Sequence, residues 1–514
     1  MKLLSEGPVK KSLLIFLAVT ALWPAAARAQ DAKAAVEAAA SALGATNLKT
    51  IQYSGWGSDY IFSQAYDGNS QWPQFYLPSY SIAIDYATSA MRDDRRRVQG
   101  QHAPLGGAYQ PLLGEQRQIW MLSGKYAWNV AGDRATPGGA ERDTRPAVDG
   151  RMAQLWLTPH GFIKAAMSAS HATATSESVR GARKTVVSFT TPTGVKLSGT
   201  INDQNLVERI ETWLDNPMLG DVMFEAVFTS YKDFGGVKFP THILQREAGY
   251  PVLDVTINDV KPNAPVAIEV PANIAQGRPA AAGPVEPMKV SDGIWHFAGG
   301  SVVVEMRDHV IVIEAPTSEE RSIATMEWIK KTLPAKPIRY LINTHSHFDH
   351  AGGVRAFAAE GIPIITWAGN IPYYNEVFSL QHTINPDRLA KSGKKPALEG
   401  VIGTRTLTDG FRSLVIYHHA GSMHNPGMLM VFFPKEKILV EADMFYGMTG
   451  SPTEDVGAGY ANFVQWYDVV QRLKLDIETI VPIHGHPLTN MDEARQALDA
   501  YKDTQVGDNS VEYP

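Results

Sequence analysis

The sequence predicts an α+β chain in which a mostly antiparallel β domain precedes a second domain that mixes strands and helices. Short β-prone runs separated by turn residues recur before residue 260, which is typical of antiparallel sheet. Residues 261–287 are rich in Pro, Ala and Gly and have the composition of a linker. We therefore expect a β-rich domain over residues 30–260, this linker, and a second domain over residues 288–514.

The first of these domains is expected to open with an Ala-rich helix over residues 31–43, ended by Gly44. Residues 195–201, 207–214 and 223–231 then have the composition of strands and are separated by turn residues. Consecutive strands joined by short turns pair as antiparallel hairpins. Antiparallel sheet is therefore the expected architecture of this half of the chain.

Two features of the same domain admit a functional interpretation, although a structural one is favoured for both. The basic run Arg95-Arg96-Arg97, which follows Asp93-Asp94, is predicted to be a solvated edge. An aromatic-rich segment could line an apolar binding surface, but core and inter-domain packing is favoured for it. Its members are Trp56, Tyr60, Phe62, Tyr66, Trp72, Phe75, Tyr76 and Tyr80.

Composition limits the classes of partner and of site. The 514 residues are 44% hydrophobic and 19% charged, as in globular chains, and the net charge of −6 gives no reason to expect nucleic acid or an anionic membrane as partner. The chain contains no cysteine. Any soft-metal site must therefore use histidine and carboxylate ligands, which suits zinc first and iron or manganese second.

The first 29 residues have the pattern of an export signal. Lys10 and Lys11 precede an apolar run over residues 12–23, and Ala27-Arg28-Ala29 forms an A-x-A cleavage site. The apolar run is short for a membrane span, although a retained anchor helix is the alternative. We expect cleavage after Ala29, a periplasmic or secreted protein, and no integral membrane span after cleavage.

The chemistry of the chain is concentrated in the sequence Thr344-His345-Ser346-His347-Phe348-Asp349-His350. Imidazole and carboxylate groups are costly to bury without partners, and a metal ion supplies such partners. His345 and His347 are two residues apart, so on an extended segment their rings point to the same side. An apolar strand at residues 338–342 precedes the motif and a helical pattern follows it.

This His-x-His-x-Asp-His motif resembles the signature of the metallo-β-lactamase superfamily. The resemblance implies an αββα sandwich, with a metal site at one edge of its two sheets, for the C-terminal domain. It also implies further ligands from later loops, for which His424, Asp443 and His484 are the candidates. The segment at residues 211–217 is similar to N-terminal extensions of periplasmic proteins of this fold and, more loosely, to the half-barrel of lipoprotein carriers.

The resemblance implies a dinuclear zinc site. Its ligands are divided between the two ions as follows: His345, His347 and His424 for the first ion, Asp349, His350 and His484 for the second, and Asp443 as the bridge. Asp443 has the alternative role of supporting the loop. His418, His419 and His486 are spare candidates for which a surface or supporting place is favoured.

The function implied is that of an exported metal-dependent hydrolase. Hydroxide generated at the metals would cleave an ester, lactone or lactam bond of a small molecule. Asp349 is expected to orient the nucleophile and move its proton, and Tyr446 and Asn425 are candidates to stabilise the developing oxyanion. A sulfatase or phosphodiesterase of the same superfamily is one alternative, although alkylsulfatase-like members tend to use Glu among the later ligands. A periplasmic protein that binds an apolar ligand and has a structural metal is the other. The sequence does not indicate an oligomeric state.

Overall fold

The computed structural model describes residues 25–506 except 109, 113, 139–146, 180–181, 192–193, 277–285, 298–299, 449–458 and 487. Most of the predicted signal peptide lies outside the described residues, and its end belongs to the first helix, α1 (Ala25–Leu43). None of the helices in the described part of the chain combines the length and apolar character needed to cross a bilayer.

The N-terminal half forms one 13-stranded antiparallel sheet, as the hairpin pattern predicted. Its first and last strands, β1 and β13, pair in the middle of the sheet, and each half of the sheet extends outwards from them. The strands are β1 (Thr50–Tyr60), β2 (Gln74–Asp85), β3 (Ala90–Gln99), β4 (Gln116–Ser123), β5 (Tyr126–Ala131), β6 (Arg134–Pro137), β7 (Ala172–Val179), β8 (Ala182–Thr190), β9 (Lys196–Ile201), β10 (Val207–Asn216), β11 (Gly220–Asp233), β12 (Lys238–Glu247) and β13 (Tyr250–Pro262).

Three helices cover one face of this sheet: α1, α2 (Ala147–Trp156) and α3 (Pro159–Ser168). Helix α1 ends at Gly44, whose φ of 68° is readily adopted only by glycine. Side chains of α1 and α3, such as Val36 and Phe162, pack with strand residues such as Ile84 in one large apolar core. The helices therefore cover much of this face of the sheet.

The sheets of the C-terminal half begin beyond the expected linker, whose described part contains the end of β13 and the short helix α4 (Ala272–Ala275). The strands of a seven-stranded sheet are neighbours in the same order as they occur in the chain, and the last four are parallel. Its strands are β14 (Met288–Ser291), β15 (Ile294–His296), β16 (Val302–Glu305), β17 (Val310–Ile313), β18 (Ile338–Ile342), β19 (Ile364–Trp367) and β20 (Leu398–Val401).

A five-stranded sheet packs face to face against it. Its strands are β21 (Thr404–Thr408), β22 (Ser413–His418), β23 (Leu429–Phe433), β24 (Ile438–Glu441) and β25 (Thr479–Pro482). The helices of this half are α5 (Glu319–Thr332), α6 (Phe348–Ala351), α7 (Val354–Glu360), α8 (Ile371–Ser379), α9 (Arg388–Ser392), α10 (Tyr460–Leu473) and α11 (Met491–Val506).

Successive side chains on a strand point to opposite faces of the sheet, so each sheet contacts the other sheet on one face and helices on the other. On β16, Val302 and Val304 point into the core between the two sheets, whereas Val303 points into the core beneath the helices. Helices α5, α7 and α8 contribute to this outer core, and α10 and α11 pack against the other sheet. The result is the αββα sandwich that the resemblance implied, and the α+β class is confirmed.

The predicted solvated edge at residues 93–97 is wrong. These residues lie in β3, where alternate side chains face opposite sides of the sheet, so Arg97 is only 3% exposed while Arg96 stays at the surface. Arg97 is paired with the buried carboxylate of Asp59, and Arg95 is paired with Asp93. A run of charged residues on one strand therefore contributes a buried ionic network on one of its faces.

We expect Phe357→Ala to destabilise the C-terminal domain strongly. This fully buried ring on α7 fixes the helix that follows the histidine motif to the sheet, so its removal should lower the free energy of unfolding by about 3–5 kcal/mol. Phe411→Ala removes an exposed ring and should cost less than about 1 kcal/mol. Urea unfolding measures both, and equal losses would contradict this packing role.

Candidate metal centre

The predicted ligands come together at one edge of the sandwich, beyond the carboxyl ends of its strands. His345 follows β18, His424 lies between β22 and β23, Asp443 follows β24 and His484 follows β25. The loop after β18 leads directly into α6, which contains Asp349 and His350. Parallel strands end at the same edge of a sheet, which is why residues far apart in sequence meet there.

The first group consists of His345, His347, His424 and Asp443, and each offers one ligand atom within 4.8 Å of the others. His345 Nε2 lies 3.0 Å from His347 Nδ1 and 3.3 Å from His424 Nε2. Asp443 Oδ2 lies 3.2 Å from Nε2 of both His345 and His424. All four residues are buried.

The second group consists of Asp349, His350, Asp443 and His484. His350 Nε2 lies 2.9 Å from His484 Nε2 and 2.8 Å from Asp443 Oδ2. Asp349 Oδ2 is farther away, at 3.8 Å from His350 Nε2 and 3.6 Å from His484 Nε2. Asp443 belongs to both groups, as a bridging ligand must.

These spacings fit a metal ion. Ligand nitrogens about 2.05 Å from a tetrahedral zinc lie about 3.4 Å from one another, which is close to the separations in both groups. Asp443 Oδ2 is buried without a hydrogen bond even though three imidazole Nε2 atoms surround it. An enclosed oxygen that faces ring nitrogens rather than N–H donors is well placed for a cation.

The backbone at Asp443 is held in an unusual conformation. Its φ of 64° lies in the left-handed region, which aspartate adopts more readily than most residues but which still costs free energy. The Met444 N–H donates to the buried carboxylate of Glu441, whose pKa burial raises to about 8. This hydrogen bond helps to hold the turn that places Asp443 between the two groups.

Hydrogen bonds from the other ring nitrogen orient two of the histidines. Nε2 of His347 donates to the carbonyl oxygen of Ala65, 2.9 Å away, which leaves Nδ1 for the metal. Nδ1 of His350 donates to the carboxylate of Glu314 at 2.8 Å, which leaves Nε2 for the metal. A carbonyl or carboxylate oxygen can only accept, so these contacts fix the tautomer of each ring.

Glu314 is a residue of the candidate site that the sequence analysis missed. It follows β17, is fully buried, and also accepts the Thr344 backbone N–H at 2.6 Å. Its φ of 70° places it in the left-handed region like Asp443. The available signal was a charged residue directly after the four apolar residues of β17, where a carboxylate is costly to bury without a partner.

The local electrostatics keep the carboxylates ionised. Burial raises the pKa of Asp443, but His350 and the other imidazoles outweigh burial and hold it well below its usual range. His350 and His484 lower the pKa of Asp349 in the same way, against the effect of burial. Burial lowers the pKa of His347 to about 3, which keeps that ring neutral as a metal ligand requires.

The two oxyanion candidates occupy different places. The Tyr446 hydroxyl donates to Asp443 Oδ1 at 3.2 Å, and its side chain lines the cavity beside the metal groups. Asn425 is fully buried, donates to the Ser346 hydroxyl and accepts the Gly427 N–H. Its amide therefore stabilises the turn that contains His424 and lies outside the cavity wall.

The three spare histidines lie outside both metal-binding groups. His418 stacks on the Trp367 ring with centroids 5.1 Å apart, and its Nε2 contacts the Pro426 carbonyl. His419 is buried next to it, at the end of β22. The structure thus gives His418 a packing role near the site.

The cavity at the metal groups has a volume of about 340 Å³ and is lined by both halves of the chain. The C-terminal half contributes Phe348, Asp349, His424, Asp443 and Tyr446. The N-terminal half contributes Ile61, Phe62, Gln64, Phe75, Arg97, Ala108, Gln116, Gln118 and Trp120. Phe62 and Phe75, from the aromatic-rich segment, are buried and also line this cavity. Trp56, from the same segment, is instead 47% exposed.

Residues 297–486 match the model of the metallo-beta-lactamase superfamily. This part of the chain contains all the candidate ligands and the sandwich apart from β14, β15 and α11, and it therefore belongs to that superfamily, as the motif predicted. The match is confined to the C-terminal half and does not include the 13-stranded sheet.

Curated proteins that are similar to the chain include alkylsulfatases and a metallo-beta-lactamase. A linear primary-alkylsulfatase of a Pseudomonas species is 21% identical over 236 residues, which are 39% of this chain and 44% of the relative. Another from Pseudomonas is 30% identical over 106 residues, 20% of this chain and 15% of the relative. The metallo-beta-lactamase type 2 of Elizabethkingia meningoseptica is 25% identical over 189 residues, which are 37% of this chain and 69% of the relative. The chain thus spans less than half the length of both alkylsulfatases.

Solved structures with likeness to the chain include two metallo-beta-lactamases. The protein from Pontibacter korlensis is 15% identical with a TM-score of 0.31, and the alignment covers 55% of this chain and 95% of that one. The protein from Erythrobacter litoralis is 19% identical with a TM-score of 0.32, and the alignment covers 43% of this chain and 97% of that one.

Glu314→Gln should weaken metal binding without unfolding the protein. The amide keeps the size of the side chain but loses the charge that holds His350, so affinity for an ion at the second group should fall about 10- to 100-fold. Competition with a chromophoric chelator measures this affinity. Glu305→Gln, which breaks a partly exposed pair with Lys336, should leave it unchanged; equal behaviour of the two variants would contradict the role of Glu314.

Proposed function

We propose that the protein is a metal-dependent hydrolase that cleaves an ester, lactone or lactam bond of a small molecule. The observation that carries the proposal is that two metal-binding groups share Asp443 and open onto one cavity. A structural zinc site is usually closed by four protein ligands, whereas a shared carboxylate next to a cavity is typical of a catalytic dinuclear site.

The donor set favours zinc, with five imidazoles and two carboxylates and no sulfur. Two zinc ions held by these residues would supply hydroxide near neutral pH and polarise the bond that is cleaved. The proposed ligands are His345, His347 and His424 for one ion, Asp349, His350 and His484 for the other, and Asp443 for both.

Asp349 is the proposed group for proton transfer. Its carboxylate lines the cavity and is the most accessible carboxylate of the cluster, with 26% of the side chain exposed. From this position it can accept a proton from the attacking water and return it to the leaving group. The Tyr446 hydroxyl, on the same wall, is the proposed donor to the oxyanion of the substrate, and its single O–H would turn from Asp443 Oδ1 to the substrate to do so.

Sulfate-ester hydrolysis is the second candidate, because the curated relatives include alkylsulfatases. The ligand set argues against it: the later positions here are occupied by His424 and Asp443, whereas alkylsulfatase-like proteins tend to use Glu there. A non-catalytic carrier is less well supported, since α1, α2 and α3 cover one face of the N-terminal sheet.

Export to the periplasm or outside the cell is proposed from the signal-like sequence at residues 1–29.

The bond type can be determined directly with the zinc-loaded protein from Gln30 onward. Hydrolysis is measured on a lactam, a lactone, a carboxylic ester, a phosphodiester and a sulfate ester. Each assay is repeated after the metal has been removed with a chelator. We expect chelation-sensitive turnover of a carboxylic ester, lactone or lactam. Turnover of the sulfate ester alone would favour the second candidate, and no turnover with two bound ions would contradict hydrolysis of these classes.

Asp349→Ala should lower kcat at least about 10²-fold, because both a proposed metal ligand and the proton carrier are lost. Circular dichroism should show that the fold is retained. Asp292→Ala removes a carboxylate that is almost fully exposed in the same domain and should leave kcat within about twofold. Near-normal activity of Asp349→Ala would contradict the proposed mechanism.

A further inference from the structure

The loop between β1 and β2, at residues 61–73, reaches from the N-terminal sheet to the metal groups. Gln64 is buried, and its Nε2 donates to Asp349 Oδ1 at 2.9 Å. The next residue, Ala65, accepts the hydrogen bond from His347 Nε2. Two consecutive residues of one domain thus contact two proposed metal ligands of the other.

A second loop of the same domain secures this contact. The Gly106 N–H donates to the carbonyl oxygen of Met423, the residue before His424, and the Gly107 N–H donates to the Gln64 carbonyl. A Cβ at Gly107 would lie 1.7 Å from Gln64 Oε1, so no other residue fits there without displacing Gln64. Gln64 is therefore held at its backbone by Gly107 and at its side chain by Asp349.

We propose that the N-terminal domain completes the metal centre, with Gln64 as the positioning residue for Asp349. The hydrogen bond to Oδ1 fixes the rotation of the carboxylate, so that Oδ2 faces His350 and His484. Asp349 is the least enclosed carboxylate of the cluster and the farthest from its neighbouring ligands, so it depends most on an external partner. The inference rests on the proposed metal ligands and does not depend on the bond that is cleaved.

Gln64→Met tests this with metal affinity as the readout. Met keeps the length of the side chain without its N–H donor, so affinity for the second zinc ion should fall at least about tenfold while the first is retained. In an Asp349→Ala background the same change should alter affinity less than about twofold, because the partner is already absent. Gln118→Met, in the same cavity but hydrogen bonded to Gln116, is the matched control for metal affinity.

Three results would overturn the proposal. Wild-type affinity for both ions in Gln64→Met would show that the hydrogen bond does not position Asp349. An equal loss in the Asp349→Ala background would show that Gln64 acts through another group. Loss of both ions would show that Gln64 supports the fold rather than one carboxylate. None of these results depends on hydrolysis, so a failure of the proposed activity is recognised separately by the substrate panel.

A separate observation concerns Arg97, which lines the same cavity from β3. Its Nε and Nη2 donate to Asp59 Oδ2 at 2.8 and 2.5 Å, and its guanidinium lies 5.3 Å from the centre of the Phe75 ring. Among the described residues no acceptor is hydrogen bonded to Nη1. Asp59 and Phe75 therefore fix the guanidinium in one orientation and leave one of its donors for another molecule.

We infer that Arg97 binds an anionic group, such as a carboxylate, of the substrate. A charge-assisted hydrogen bond from a guanidinium is about twice as strong as a neutral one, and a buried arginine loses little entropy when it binds. Phe62, Phe75 and Trp120 beside it offer aromatic surface to the rest of the molecule. This inference deepens the proposed function: the substrate would be a small anionic molecule with an apolar body.

Calorimetric titration of the zinc-loaded full chain with benzoate and with benzamide tests it. Benzoate should bind more tightly than benzamide to the wild type, and Arg97→Met should weaken benzoate at least about tenfold with little change for benzamide. Arg96→Met, one residue away but exposed and paired with Glu115, is the matched control and should behave as wild type. Because the zinc site is common to all three proteins, the difference isolates Arg97.

Equal affinity of the wild type for the two probes, or equal loss in both arginine variants, would overturn the role of Arg97. A preference for benzoate that depends on Arg97 together with no turnover of any substrate would instead leave the anion site intact and contradict the hydrolase. The two proposals therefore fail in different ways.

Discussion

The dense grouping of imidazoles around the Asp443 carboxylate is the constraint on which the rest of the structure depends. Three ring nitrogens lie within 3.2 Å of its Oδ2, and this oxygen atom is itself buried. Without a cation this arrangement would leave a buried oxygen unsatisfied, which is costly. The two sheets, which bring loops from four strand ends to one edge, provide the rigid frame that such a grouping needs.

This frame accounts for the strain near the site. Asp443 and Glu314 both have left-handed backbone conformations, and each contacts His350 from a different sheet. The free-energy cost of such conformations is of the order of 1 kcal/mol each, and the apolar strands β17 and β24 that precede them are completely buried. Well-packed strands thus hold two carboxylates in positions that a less ordered loop would not maintain.

Local sequence was sufficient for the parts of the site that are close together in the chain. His345 and His347 are two residues apart and Asp349 and His350 are adjacent, so spacing alone placed them together. Glu314 and Gln64 were not predictable in this way, because their partners lie 36 and 285 residues away and neither belongs to a motif. Arg97 was misassigned because charge was considered along the chain, whereas in a strand it is the alternation between faces that decides burial.

If the proposed metal centre is correct, the inter-domain contacts would give the 13-stranded sheet a role in its chemistry. The two candidate metal groups lie at one edge of the sandwich, and residues 61–65 and 106–107 cover that edge. The covering residues donate and accept hydrogen bonds with the metal-site residues, and Arg97 and the aromatic rings behind them form the other wall of the cavity. Substrate selection and ligand orientation would then come from the same sheet, so changes in the N-terminal half could alter the substrate without altering the metal ligands.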